Sequence, residues 1–132
     1  MFISLLLLLI LFNAPIDSEW EMLSKVNGYY NQVPYKEDID NYGVWDHWAT
    51  PQEFMVNGGD CEDYAIAKMF RLLELGVSAN RLKLQLAWND ERKHMVLLYQ
   101  EKSGQWLTLD NNVNSIEPIQ FRDDLILIKD DI

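Results

Sequence analysis

The stretch Gly58-Gly59-Asp60-Cys61-Glu62-Asp63-Tyr64-Ala65-Ile66-Ala67-Lys68 decides how the rest of the chain is arranged. Its two glycines permit a tight, closely approached backbone. A helix follows, from about Cys61 to Leu75. Ala65, Met69 and Leu72 form one stripe and Ile66, Phe70 and Leu73 the next, an apolar arc wide enough for a central helix. Gly76 terminates it. Upstream, Thr50-Pro51-Gln52-Glu53 is a capping box with proline at the first helical position, opening a short helix that ends at Asn57-Gly58-Gly59. Ser18-Glu19-Trp20-Glu21 has the same capping form, and Trp20, Leu23 and Val26 follow at helical spacing until Asn27-Gly28 supplies a stop. From Tyr29 to Trp48 the chain is aromatic and acidic with little periodicity, and reads as a long structured loop.

Downstream of Gly76 the period changes to two. Leu82, Leu84, Leu86 and Trp88 alternate with Arg81, Lys83, Gln85 and Ala87, the pattern of a half-buried strand. Asn89-Asp90-Glu91-Arg92 is a turn, Lys93 to Tyr99 a second strand, and Glu101-Lys102-Ser103-Gly104 a second turn. Gln105 to Asp110 is a third strand, stopped by Asn111-Asn112, and a last strand covers about Leu125 to Lys129 before an acidic tail. Helices first and an antiparallel meander second predict an α+β domain, with its helices against one face of a small sheet.

The 132 residues carry 21 Asp+Glu against 11 Lys+Arg, a formal net charge of −10. Such a surface repels phosphate backbones, and no basic patch offsets it, so nucleic-acid binding is excluded as an expectation. The single cysteine, Cys61, rules out an intrachain disulfide framework and a cysteine-rich zinc site. Phe2 to Phe12 is almost wholly apolar, too short to span a bilayer and about right for the apolar region of a secretory signal peptide, with Ala14 nearby for cleavage. The other reading is a buried N-terminal strand or helix. We expect residues 1–16 to be a signal peptide and residues 17–132 to form one exported domain, periplasmic or secreted.

Cys61 falls in the first turn of the central helix, where free amide groups and the helix dipole favour a thiolate. The plainer alternative is a small buried hydrophobe. His94 opens the second strand and Asp110 closes the third. A turn of Glu101-Lys102-Ser103 pairs Gln100 with Gly104 and places His94 directly opposite Asp110 on one face. A loop one residue longer would break that register. A carboxylate so placed orients an imidazole and stabilises its protonated form. Alone, the pair could equally be an ordinary surface His–Asp contact. With Cys61 it makes a coherent nucleophile, base and orienting acid.

Trp48-Ala49-Thr50-Pro51-Gln52-Glu53, Gly58 through Lys68, His94-Met95-Val96-Leu97 and Leu109-Asp110-Asn111 together resemble the bacterial transglutaminase-like cysteine proteases. These are the LapG-type periplasmic enzymes of the papain/transglutaminase superfamily. The resemblance runs in order from about Asn31 to Asp124. It implies a papain/transglutaminase-like fold with the nucleophile Cys61 at the N-terminus of the central helix, His94 as general base and Asp110 as its orienting acid. It further implies Ca²⁺ dependence, with Asp60 and Glu62 as metal ligands. The protein substrate would be a large surface adhesin cleaved near its N-terminus, with release of cells from a biofilm, and an inner-membrane receptor would regulate the enzyme. Two carboxylates are too few for Ca²⁺, so Glu37, Asp38, Asp40 or Asp46, backbone oxygens or water must complete the shell. The metal-free alternative has Asp60 capping the helix and Glu62 complementing its dipole. Trp45 and Trp48 are candidates to wall the cleft, and His47 has no partner in the pattern. The chain is shorter than typical members of that family.

These readings converge on an exported calcium-dependent cysteine endopeptidase. The rivals are transglutaminase or amidase acyl transfer through the same thioester, and a non-catalytic calcium-stabilised binding module. The helix start beside His94 predicts a Cys61 pKa below the roughly 8.5 of a free thiol, opposed by Asp60 and Glu62 unless a cation neutralises them.

Overall fold

A computed structural model describes residues 18–44 and 46–129. The apolar segment Phe2 to Phe12, Trp45 and the last acidic residues lie outside the described residues. Four helices come first: α1 (Ser18–Asn31), α2 (Asp38–Tyr42), α3 (Pro51–Asn57) and α4 (Cys61–Glu74). Five strands follow: β1 (Leu82–Asn89), β2 (Arg92–Gln100), β3 (Trp106–Asp110), β4 (Val113–Pro118) and β5 (Leu125–Leu127). The strand order is β4-β3-β2-β1-β5, all pairings antiparallel. This is the expected α+β arrangement.

The sheet has apolar residues on both faces. Leu23 and Val26 of α1 and Ala65 and Leu72 of α4 pack on Met95, Leu97, Tyr99, Leu107 and Leu109. The alternate residues Val96 and Leu98 join Ala87 and Leu125 in a second cluster on the far face. Central β2 is therefore buried from His94 to Tyr99 without alternation. Phe54 and Tyr64 meet edge to face, 4.6 Å between ring centres, and fasten α3 to α4.

Several local expectations are corrected. Helix α1 does not stop at Asn27-Gly28 but runs to Asn31. Tertiary bonds outweigh the glycine there: buried Asn27 donates from Nδ2 to Val113 O and Asn114 O (3.3 and 3.1 Å), and Asn31 Nδ2 donates to Asp110 O (2.9 Å). Their partner strand β4 carries one buried apolar residue, Ile116, and gave no alternating signal. The Tyr29–Trp48 loop holds the short helix α2. Trp20 and Phe70, which fall in the apolar helical spacing, are 49% and 45% exposed, while Lys68 of α4 is fully buried.

The β2–β3 register also differs, since Gln100 pairs with Trp106 and Leu97 with Leu109. The turn is Lys102-Ser103-Gly104. Glu101 N–H donates to Gln105 O (2.9 Å), Gly104 N–H donates to Glu101 O (2.8 Å), and Gly104 takes a left-handed φ of 98°. That is the three-residue hairpin that wants glycine last. The shift is two residues, so His94 and Asp110 stay on one face, as diagonal rather than direct neighbours.

Because buried Asn27 ties α1 to the β4 backbone through two hydrogen bonds, Asn27→Ala should cost about 1–3 kcal/mol. Urea unfolding should show a lower midpoint at unchanged slope. An unchanged midpoint would mean that apolar packing, not these bonds, holds β4.

Candidate active site

The site is built around the entry to α4. Gly58 has a φ of 74°, and a Cβ there would run into Pro34 O. A Cβ on Gly59 would strike the Asp63 side chain. This close approach lets Gly59 bridge to Tyr35, with Lys36 N–H donating to Gly59 O at 2.8 Å. Asp63, 1% exposed, then fixes the turn: its Oδ2 accepts from Asp60 N–H (3.0 Å) and its Oδ1 from Ala49 N–H (2.9 Å). Cys61 is the first residue of the helix. It lines a cleft of about 280 Å³ at the end of the sheet, together with Tyr35, Asn89, Arg92, His94 and Asn112.

His94 and Asp110 occupy positions that alternate with helix-facing Met95, Leu97 and Leu109, so they lie on the sheet face away from α4. Cys61 packs against the helix-side cluster and shares the cleft with His94. His94 Nε2 lies 2.7 Å from Asp110 Oδ1, and both side chains are almost fully buried. With Nε2–H donated to the carboxylate, Nδ1 is left as a proton acceptor. Asp110 Oδ1 also accepts from Asn112 N–H (3.0 Å), and Oδ2 accepts from Arg122 Nη2 (2.9 Å). Burial raises the Asp110 pKa, but the bonds from His94, Asn112 and Arg122 outweigh it and hold the carboxyl down at about 2.

Next to Cys61 is an acidic cluster. Ligand oxygens of Asp38, Asp60 and Glu62 lie within 4.8 Å of one another. Asp38 Oδ1, Asp60 Oδ1 and Glu62 Oε2 are buried and have no hydrogen-bond partner, which suits a hard cation such as Ca²⁺. The other Asp38 oxygen accepts from His47 N–H (2.6 Å), which steadies the loop. Burial pushes the Asp60 carboxyl up to about 8, with Asp63, Asp38 and Glu62 adding to it. Glu62 rises to about 7 through burial and the charges of Asp46 and Asp38. Burial is also the main reason the Cys61 thiol is pushed up to about 11, with Asp60 and Glu62 adding to it against the Met95 and Glu62 backbone N–H groups. Desolvation, with the two flanking carboxylates behind it, outweighs the helix start, and the carboxylates oppose the thiolate as their charges predict.

Residues 13–123 match the bacterial transglutaminase-like cysteine proteinase family, BTLCP. The chain belongs to that family. Among solved structures it is similar to Legionella pneumophila LapG in a calcium-bound form, with 37% identity and a TM-score of 0.72 over 81% of this chain and 61% of that one. The EGTA-treated form gives 37% identity and a TM-score of 0.71, over 81% and 60%. The chain therefore spans about three fifths of the LapG chains it matches. A comparison with curated protein sequences found no match.

Within this member of the family, Cys61, His94 and Asp110 come together, as do Asp60 and Glu62. Of the acidic loop residues it is Asp38 that joins them. Trp48 is 55% exposed and does not line the cleft, and Trp45 lies outside the described residues. His47 does have partners: Nε2 is 3.2 Å from Glu53 Oε2, and the ring packs on Tyr42 at 3.9 Å. Arg122 and Asp63 were not singled out by the sequence, since one sits twelve residues beyond Asp110 and the other reads as an ordinary first-turn acid.

The raised carboxyls set a pH dependence. Above about pH 4 the unfolded chain has lost protons that folded Asp60 and Glu62 still hold, so stability falls as pH rises toward 7–8. Lys68, pushed down to about 7, acts in the opposite sense above that pH, and the depressed Asp110 does so only as pH falls from the ordinary carboxyl value of 3.8 through about 2. In EGTA, the melting temperature should therefore drop between about pH 5 and about pH 7, and Glu62→Gln should flatten the drop. A metal-free melting temperature that stays level or climbs over this range would contradict the assignment.

Proposed function

We propose that this chain is an exported calcium-dependent cysteine endopeptidase. The observation that carries the reading is the 2.7 Å bond from His94 Nε2 to Asp110, which leaves Nδ1 for a thiol in the cleft that Cys61 and His94 both line. In this mechanism His94 Nδ1 takes the Cys61 proton, and the thiolate attacks the carbonyl carbon of the scissile peptide. The Cys61 N–H, at a helix start with no intrahelical partner, donates to the developing oxyanion. His94 returns the proton to the leaving amine. It then takes a proton from the water that opens the thioester, which releases the acid and restores the thiol. Asp110 keeps its negative charge throughout, holds the imidazole in one tautomer and stabilises the imidazolium.

Asp38, Asp60 and Glu62 would hold the Ca²⁺, their three unpaired oxygens matching its preference for carboxylate ligands. Bound there, the ion would supply positive charge that offsets the carboxylates flanking Cys61. The LapG structures in calcium-bound and EGTA-treated forms favour this cation. The family membership implies a protein substrate, which we take to be a large surface adhesin, with an inner-membrane receptor as regulator. The apolar run Phe2 to Phe12 supports export to the periplasm or beyond.

Iodoacetamide should label Cys61 faster in Ca²⁺ than in EGTA, and Ca²⁺ should raise the melting temperature by mass action. Cys61→Ala should abolish cleavage of a protein substrate and His94→Ala nearly so. Asp110→Asn should retain a small fraction, each variant keeping its circular dichroism spectrum. Wild-type turnover in a folded His94→Ala protein would overturn the choice of base. Calcium-independent labelling and melting would overturn the metal.

A further inference from the structure

Among the described residues, only two lysine or arginine side chains are buried, Lys68 and Arg122. Burying a guanidinium is costly unless every nearby charge is matched. Arg122 is 6% exposed and follows the short turn Ile119–Phe121, whose Ile119 O accepts its N–H at 3.1 Å. It grips two carboxylates. Nη2 donates to Asp110 Oδ2 (2.9 Å) and to Asp124 Oδ2 (2.8 Å), while Nε donates to Asp124 Oδ1 (2.9 Å). Asp110 thus has its two oxygens committed in different directions. Oδ1 takes His94 and the Asn112 N–H, and Oδ2 takes Arg122.

A carboxylate held on one oxygen can turn about its Cβ–Cγ bond and lose its lone partner. Held on both oxygens, it cannot. We infer that Arg122 is a positioning residue: by holding Asp110 Oδ2 it locks the carboxylate so that Oδ1 stays on His94 Nε2–H and Nδ1 stays toward Cys61. This rests on the catalytic reading of Cys61, His94 and Asp110 above. Asp124, half-exposed, is the outer anchor that keeps the guanidinium plane in place. The fork geometry matters here, since an ammonium cannot serve both carboxylates in one plane.

The test uses the full chain in Ca²⁺ buffer with ¹⁵N-labelled histidine, reading the His94 ring tautomer and its Nε2–H resonance by NMR and the rate of Cys61 alkylation by iodoacetamide. Arg122→Gln should broaden or erase the Nε2–H resonance, mix the tautomers and slow alkylation on the order of tenfold to a hundredfold. Arg122→Lys should recover part of both. His94→Ala separates the two claims. If it leaves alkylation at the wild-type rate, the catalytic reading itself fails. If it slows alkylation while a folded Arg122→Gln keeps the wild-type tautomer and rate, Arg122 is merely structural and the inference is overturned. Should Arg122→Gln not fold, the surface variant Asp124→Asn replaces it. A smaller fall in the same two signals supports positioning, and unchanged signals overturn it.

Discussion

Everything at the α4 entry depends on one buried carboxylate. Among the described residues no cation pairs with Asp63; its two oxygens accept the N–H groups of Ala49 and Asp60 instead. One of these bonds draws in the strand-like segment ahead of α3, and the other closes the turn before Cys61. The price is desolvation, which raises the Asp63 pKa despite both bonds. The same geometry forces glycine at position 59, because the Asp63 side chain fills the space a Cβ would need. With that space closed, the Pro34–Lys36 backbone can lie against Gly59, and Asp38 is carried to within reach of Asp60 and Glu62.

The two halves of the site therefore work against each other electrostatically. On the helix side, Asp38, Asp60 and Glu62 crowd around a thiol that burial already disfavours as an anion. On the sheet side, His94, Asn112 and Arg122 all donate to Asp110 and keep it charged. A cation held among the three carboxylates would offset the charge on the helix side and leave the sheet side as it is.

What could be read in the sequence was local. The Thr50-Pro51-Gln52-Glu53 capping box is present, the apolar arc after Cys61 does make the central helix, and Gly76 ends it with a φ of 96°. His94 and Asp110 fell on one face because strand alternation survives a register error of two. What could not be read depended on contacts between distant segments. Asp38 and Asp40 are the same residue type in one acidic loop, and only the bridge to Gly59 selects Asp38. Strand β4 shows no periodicity because Ile116 is its single buried apolar residue, and its pairing with β3 and its hydrogen bonds to Asn27 and Asn31 do the rest. Phe70 fell in the apolar arc and Lys68 did not, since a helix pattern cannot reveal which of its faces meets a buried polar partner.

Lys68 shows what that partner does. It lies two turns beyond Cys61, its Nζ donating to Asn31 Oδ1 at 2.7 Å, and Asn31 in turn donates to the Asp110 carbonyl. Helix α4, the end of α1 and the end of β3 are thereby linked through one buried chain of hydrogen bonds. Burial pushes the Lys68 ammonium down to about 7, and the negative charge of Asp110 is what opposes that. Asp110 thus supports the Lys68 ammonium behind it while its own two oxygens accept from the His94 ring and the Arg122 guanidinium. The charge that holds the His94 ring also helps keep the helix carrying Cys61 in register with the strand carrying Asp110. In this protein the spacing of these groups and their electrostatics are a single constraint.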